Sequence, residues 1–378
     1  MKKVLVSLLV VFFIMCKQKP QIDHAIFVDI DRPERASLFD YFRSIELIPL
    51  ETSNDALVAG AGKIINHQGN CYILDPTQSI IFVFDQTGKF LFKIDKKGQG
   101  PEEYTFIRDF NINLFSGNLE LLEPYGRVQI YDLSGNYIET KRIEYDGFRA
   151  VHMFAALDSH TYVIYAIFQP KKIVYFNLDE KKLLHEEFEE SRRLGSFASN
   201  NLYQYKDDRY FFRPIHPVVY KTGKERLEPV FQFDFGKHTR KNGTEAVFSQ
   251  EGEQFLAKAV EELFVQFSYV IHTVRHNNKY IFVSLSRKGL DDKANIIYDK
   301  SAGQAKYITE FTEKVVFNAY RGEEIIVTDE YVLMPTRWVD LEKRITSEML
   351  DDENKAIFEE LLQAKWELNP ILIKYWFK

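Results

Sequence analysis

"GNCYILDPTQSIIFVFDQTGKFLFKI", residues 69–94, decides the fold, because "GNLELLEPYGRVQIYDLSGNYIETKRI" at 117–143 repeats its plan. Each stretch reads Gly-Asn, a strand ending in an acid and a proline, a strand ending in aromatic-Asp, a short step to glycine, and a further strand. The aromatic of the strand after the proline sets a register of Phe84, Tyr131, Phe176, Tyr220, Tyr298 and Tyr375, with spacings of 47, 45, 44, 78 and 77 residues. Proline before that strand recurs as Pro76, Pro124, Pro170, Pro214 and Pro335. There it ends a strand and opens a turn without removing a ladder hydrogen bond. Repeats of roughly 40 to 50 residues, each of four short strands rich in aromatic and β-branched residues, are blades of a β-propeller. The six markers predict an all-β, six-bladed propeller with four-stranded blades.

The two long intervals hold insertions. "TEAVFSQEGEQFLAKAVEELF" at 244–264 spaces Phe255, Leu256, Ala259, Val260 and Leu263 as one face of a helix. "DLEKRITSEMLDDENKAIFEELLQAKWE" at 340–367 does the same with Ile357, Phe358, Leu361 and Leu362. In an up-and-down blade, the turn from the second to the third strand and the link to the next blade share one face. Both helical insertions are therefore expected on that face. The chain ends on "NPILIKYWFK", a strand with no outer strand after it, while "YFRSIELIPLE" at 41–51 is a strand without a blade. The second is expected to complete the sixth blade and cover its free edge, so residues 39–378 form the propeller.

The chain has 378 residues, 45% hydrophobic and 28% charged, with 32 Phe and 21 Tyr, enough for a large core. The net charge of −6 argues against nucleic acid as a partner and against attraction to an anionic membrane surface. "MKKVLVSLLVVFFIMC" has two lysines, an apolar run from Val4 to Met15, and Cys16. It reads as a secretory signal over 1–15 and is too short to remain as a spanning helix. A cysteine directly after the apolar run resembles a bacterial lipobox, with Met15 as the departure, since a small residue usually stands there. The rival reading is plain secretion with cleavage nearby. Residues 16–38 then form a tether and a first strand, and "KQKPQ" after Cys16 has no acidic run that would favour display on the outer surface. The expected location is the cell envelope, lipid-anchored, on the periplasmic side of the outer membrane. Cys71 lacks a partner if Cys16 is acylated and reads as a small core residue.

The loop "GQGPEEY" after the first blade, the run "ILDPTQSIIFVFDQTGKFL" and the terminal "NPILIKYWFK" resemble the NHL-like six-bladed β-propeller lipoproteins of Gram-negative bacteria. That resemblance covers essentially the mature chain. It implies the fold and the lipid anchor; most members are of unknown function, and the family brings no catalytic residues with it.

Chemistry is weakly signalled. The glycines of "KKGQGPEEYTF" (96–106) are followed by Pro101, Glu102 and Glu103, not by the Lys-Ser/Thr and helix of a phosphate loop. Two carboxylates beside a phosphate would repel it, so the stretch reads as a blade-to-blade link, with Glu103, Tyr104 and Arg108 as candidates for facing the channel. The turns after the second strands carry Arg127, Lys171, Arg213, Arg287 and Arg337, with Tyr125, His216 and Trp338 beside them. On an acidic chain such a ring would form a local anion site, arginine holding carboxylate by paired hydrogen bonds. His272 and His276 would lie on one face of a strand about 13 Å apart, too far to share a metal, and no cofactor is implied. The resulting expectation is a non-enzymatic binding module. Its ligand, an anionic glycan or peptide, or else a protein partner, would sit on the helix-bearing face. The alternative is a lyase or hydrolase with its active site in the central channel.

Overall fold

The computed structural model describes residues 25–148, 150–189, 200–239, 268–289, 291–313, 324–364 and 369–378. Residues 1–15, read above as a signal, Cys16 and the insertion at 244–264 lie outside the described residues. Six antiparallel sheets of four consecutive strands, the last borrowing one strand from the N-terminal side, make a six-bladed β-propeller. In chain order the first blade is β4 (Ile64–His67), β5 (Asn70–Asp75), β6 (Ile80–Asp85) and β7 (Phe90–Ile94). The second is β8 (Asp109–Asn113), β9 (Asn118–Leu122), β10 (Arg127–Tyr131) and β11 (Tyr137–Arg142). The third is β12 (Met153–Ala156), β13 (Thr161–Tyr165), β14 (Lys171–Asn177) and β15 (Lys182–Glu189). The fourth is β16 (Leu202–Tyr205), β17 (Asp208–Phe212), β18 (Val218–Thr222) and β19 (Leu227–Asp234). The fifth is β20 (Val270–His276), β21 (Tyr280–Ser286), β22 (Lys293–Asp299) and β23 (Gln304–Phe311). The sixth joins β24 (Ile326–Val327), β25 (Tyr331–Thr336) and β26 (Ile371–Phe377) to β3 (Phe42–Pro49), which pairs antiparallel with β26.

Burial explains why these strands read as they do. Second and third strands are covered on both faces by neighbouring blades, so β5 and β6 are almost continuously buried. The outer β11 is mostly exposed and carries Glu139, Lys141 and Arg142. The described core falls into six apolar clusters, one at each junction between blades. Cys71 belongs to the junction of the sixth and first blades, where burial pushes its thiol up to about 12.

Two short strands ahead of β3 extend the rim. β1 (Ile26–Phe27) lies parallel to β19, and β2 (Glu34–Ala36) lies parallel to β23. The segment from 26 to 49 thus runs along the outer strands of blades four, five and six in turn. It occupies hydrogen-bonding edges that would otherwise be free. Part of the second insertion is visible as 3-10 turns at Trp338–Lys343 and Ser347–Met349, then a helix, α1, Asp352–Gln363. Asp351 caps α1, accepting from the Asn354 amide. Phe358 and Leu361 bury into the cluster between blades five and six, and Asn354 Oδ1 accepts the Leu47 amide of β3 at 2.7 Å. α1 therefore packs on the rim strand, not over the channel axis.

Candidate binding site in the central channel

The first strand of each blade lines the axis, and together these strands enclose a cavity of about 430 Å³. Its walls include Lys63 to His67, Asn111 and Leu114, Ala155, Leu202 to Lys206, Arg209, Arg275, and Glu324 to Asp329 with Tyr331. His67, Leu114, Lys206 and Asp329 stand at the ends of first strands that turn into second strands. The cavity thus reaches the face opposite the one that carries α1 and the turns from second to third strands.

Its charges are tied across blades. Lys63 Nζ of blade one meets Asp109 Oδ1 of blade two at 2.8 Å and Asn111 Oδ1 at 3.1 Å. Asp109 Oδ2 accepts the Phe154 amide of blade three at 3.1 Å. Across the axis, Arg275 Nη2 of blade five holds Glu324 Oε1 of blade six at 2.7 Å, and Asn200 donates to the other Glu324 oxygen. Burial pushes the Asp109 and Glu324 carboxyls up, while Lys63 and Arg275 pull them back down. At the mouth, Lys206 Nζ lies 3.0 Å from Asp329 Oδ2 and Tyr205 donates to Asp329 Oδ1 at 2.6 Å.

Arg209 differs. It is 4% exposed, and among the described residues its Nε has no partner and its guanidinium makes one hydrogen bond, a long 3.4 Å contact from Nη1 to the Asp207 carbonyl. Among the described residues no carboxylate forms an ion pair with it. Asp208, beside it in sequence, pairs instead with Lys221 at 2.8 Å. Burial lowers the Arg209 guanidinium to about 10, against the opposing pull of Asp207 and Asp208. On β17 it pairs with Gln204 of β16, and it shares the cavity wall with Ala155, the one lining residue from blade three.

None of the residues singled out in the sequence lines this cavity. Arg127 donates to the Gly100 and Pro101 carbonyls at 3.2 and 2.9 Å, and Glu103 Oε2 accepts the Gly100 amide at 2.8 Å. Tyr104 is fully buried and donates to the Ile94 carbonyl at 2.8 Å, so these residues together fix the 96–106 link. Arg108 bonds His152. Lys171 lies 3.9 Å from Glu186. Arg213 stacks over Phe188, which His216 also touches edge-on. Arg287 donates to the Ile30 carbonyl and to Asp31, tying the N-terminal segment to blade five. Arg337 pairs with Asp340, Trp338 packs against the apolar cluster beside α1, and Tyr125 is 74% exposed. Each of these basic residues thus has a local partner away from the cavity wall.

The histidine strand departs from the expected geometry. β20 bulges at His272, which breaks the alternation that would set His272 and His276 on one face. His272 bonds Ser286 Oγ at 2.8 Å. His276 lies among Tyr203, Tyr205, Tyr210 and Phe231, and burial lowers it to about 3. Among the described residues no three His, Cys, Asp or Glu side chains cluster as metal ligands.

Fold and site together define a six-bladed β-propeller with an axial cavity. Residues 22–375 match the family model described as a domain of unknown function, DUF4934, and the chain belongs to that family. Among solved structures, a Bacteroides fragilis protein predicted to be exported is similar over 94% of this chain and 100% of its own, at 18% identity and a TM-score of 0.72. A DUF4221 family member from Bacteroides vulgatus is similar over 89% of this chain and 97% of its own, at 9% identity and a TM-score of 0.54. Both likenesses concern the fold. Among curated proteins no significant match is found.

Proposed function

We propose that the protein is an exported, non-enzymatic binding module that holds a small ligand in its axial cavity. The observation that carries this reading is the cavity itself. At about 430 Å³ it suits a ligand of one or two sugar rings or a short peptide, and it presents Tyr203, Tyr205 and Tyr331 beside paired charges. The binding reading is preferred to a lyase or hydrolase because the buried wall acid, Glu324, is already engaged by Arg275 and Asn200. A base held in this way is poorly placed to take a substrate proton.

Export rests on the segment before Cys16 and is consistent with the likeness to the exported-class Bacteroides protein. Acylation at Cys16 would tether the propeller within about 35 Å of the bilayer, the reach of the ten residues leading to Ile26, and the absence of an acidic run after Cys16 favours the periplasmic side. Labelled palmitate incorporated by the wild type and not by Cys16→Ser is the expected result; equal incorporation would refute the anchor.

The binding reading is tested by thermal shift of the full chain in detergent against acidic and neutral mono- and disaccharides and dipeptides. A binder present at one hundred times its Kd stabilises the folded state by about 2.7 kcal/mol. The shift should vanish in Asn66→Trp, which places an indole on the cavity wall at an exposed position. Shifts of equal size in both proteins would move the site elsewhere.

A further inference from the structure

Charge accounting on the cavity wall shows what the ligand must supply. Lys63, Arg275 and Lys206 are each matched by a carboxylate, in Asp109, Glu324 and Asp329. Among the described residues Arg209 is the one lining cation with no carboxylate in ion-pair contact, although it is buried and its Nε has no partner there. An unpaired buried charge is costly unless something neutralises it. Its fork of donors suits a planar carboxylate, which can accept two of them at once. A phosphate dianion fits less well, since one uncompensated cation balances one negative charge.

We propose that Arg209 is a specificity-determining residue that receives the carboxylate of a small organic acid bound in the axial cavity. This deepens the proposed function and rests on the cavity being the binding site. The same carboxylate chemistry could come from a sugar acid or from the C-terminus of a short peptide.

The test titrates the full chain in detergent with two matched pairs by calorimetry. One pair is glucuronic acid and its methyl ester; the other is N-acetyl-alanyl-alanine and its amide. At least one acid should bind more tightly than its neutral partner by about tenfold or more, the usual effect of a charged hydrogen bond, and the pair that discriminates identifies the source. Arg209→Gln should reduce the acid to the level of the neutral compound, and Arg209→Lys should restore part of the preference. Arg209→Met should leave the ligand-free melting temperature unchanged or raise it, because a buried unpaired charge has gone; a lowered melting temperature would assign Arg209 a structural role and overturn the proposal. Equal binding of acids and neutral partners, with both lost in Asn66→Trp, would overturn the role of Arg209 and leave the cavity reading intact. Binding unaffected by Asn66→Trp would refute the cavity reading as well, and no binding of either acid at about 10 mM would overturn the proposal as stated.

Discussion

At Gly126 a single missing carbon decides a turn. Its φ is +80°, and a Cβ there would lie 2.3 Å from the Ile143 carbonyl oxygen. Gly126→Ala should therefore lower stability by about 1–3 kcal/mol or more, read as a lower urea midpoint. Glu120 offers a test in pH. It is buried between blades two and three, accepts from Tyr162 at 2.6 Å and from Asn113 at 2.8 Å, and burial pushes it up to about 7. The folded carboxyl holds its proton more tightly than the unfolded chain does. Its contribution is complete below about pH 4.5 and is lost as pH rises through about 7. Glu120→Gln should match the wild type at pH 4.5 and exceed it by up to about 3 kcal/mol at pH 8, measured as paired urea midpoints; an unchanged difference across that range would refute the shift. Arg209 shows why the site was harder to read than such turns. In "YKDDRYFF" two aspartates directly precede it, and only the structure shows that Asp208 pairs with Lys221 and that, among the described residues, no carboxylate forms an ion pair with the guanidinium.

Among the elements, α1 and β3 depend on each other. Asn354 fills the hydrogen-bonding position of the Leu47 amide, while Phe358 and Leu361 bury beside it. Asn354→Ala leaves that buried amide unsatisfied and should cost about 1–3 kcal/mol, with faster amide exchange at Leu47 than at Ile45. An unchanged urea midpoint would mean that water replaces the side chain. The amphipathic spacing of Ile357, Phe358, Leu361 and Leu362 made this helix legible, because an apolar stripe must find cover. Its resting place was not legible, since a stripe does not say which neighbour covers it. Likewise no motif marks β4 or β24, and the roles of Lys63 and Glu324 emerge only when blades one, two, five and six meet at the axis.

For the molecule as a whole, the six-blade count was written in the chain. Phe84, Tyr131, Phe176, Tyr220, Tyr298 and Tyr375 all stand on third strands, so the repeat carries its register through both insertions. A first strand was expected within residues 16–38, but the parallel course of Ile26–Phe27 and Glu34–Ala36 along blades four and five was not visible, because two- and three-residue strands on a rim have no periodicity to detect. Truncation separates the roles of these N-terminal strands. A chain beginning at residue 37 keeps β3 and should fold with a lower melting temperature and concentration-dependent self-association through the uncovered edges of β19 and β23. A chain beginning at residue 50 loses the outer strand of blade six and should show no cooperative unfolding transition. The most direct test of the central claim is amide hydrogen exchange of the full chain with and without the strongest binder from the ligand panel. The account predicts slowed exchange in β4, in β16 and over Glu324 to Tyr331, around the cavity. Protection confined to the turns bearing Arg127, Lys171, Arg213 and Arg337, with those inner strands unchanged, would contradict it.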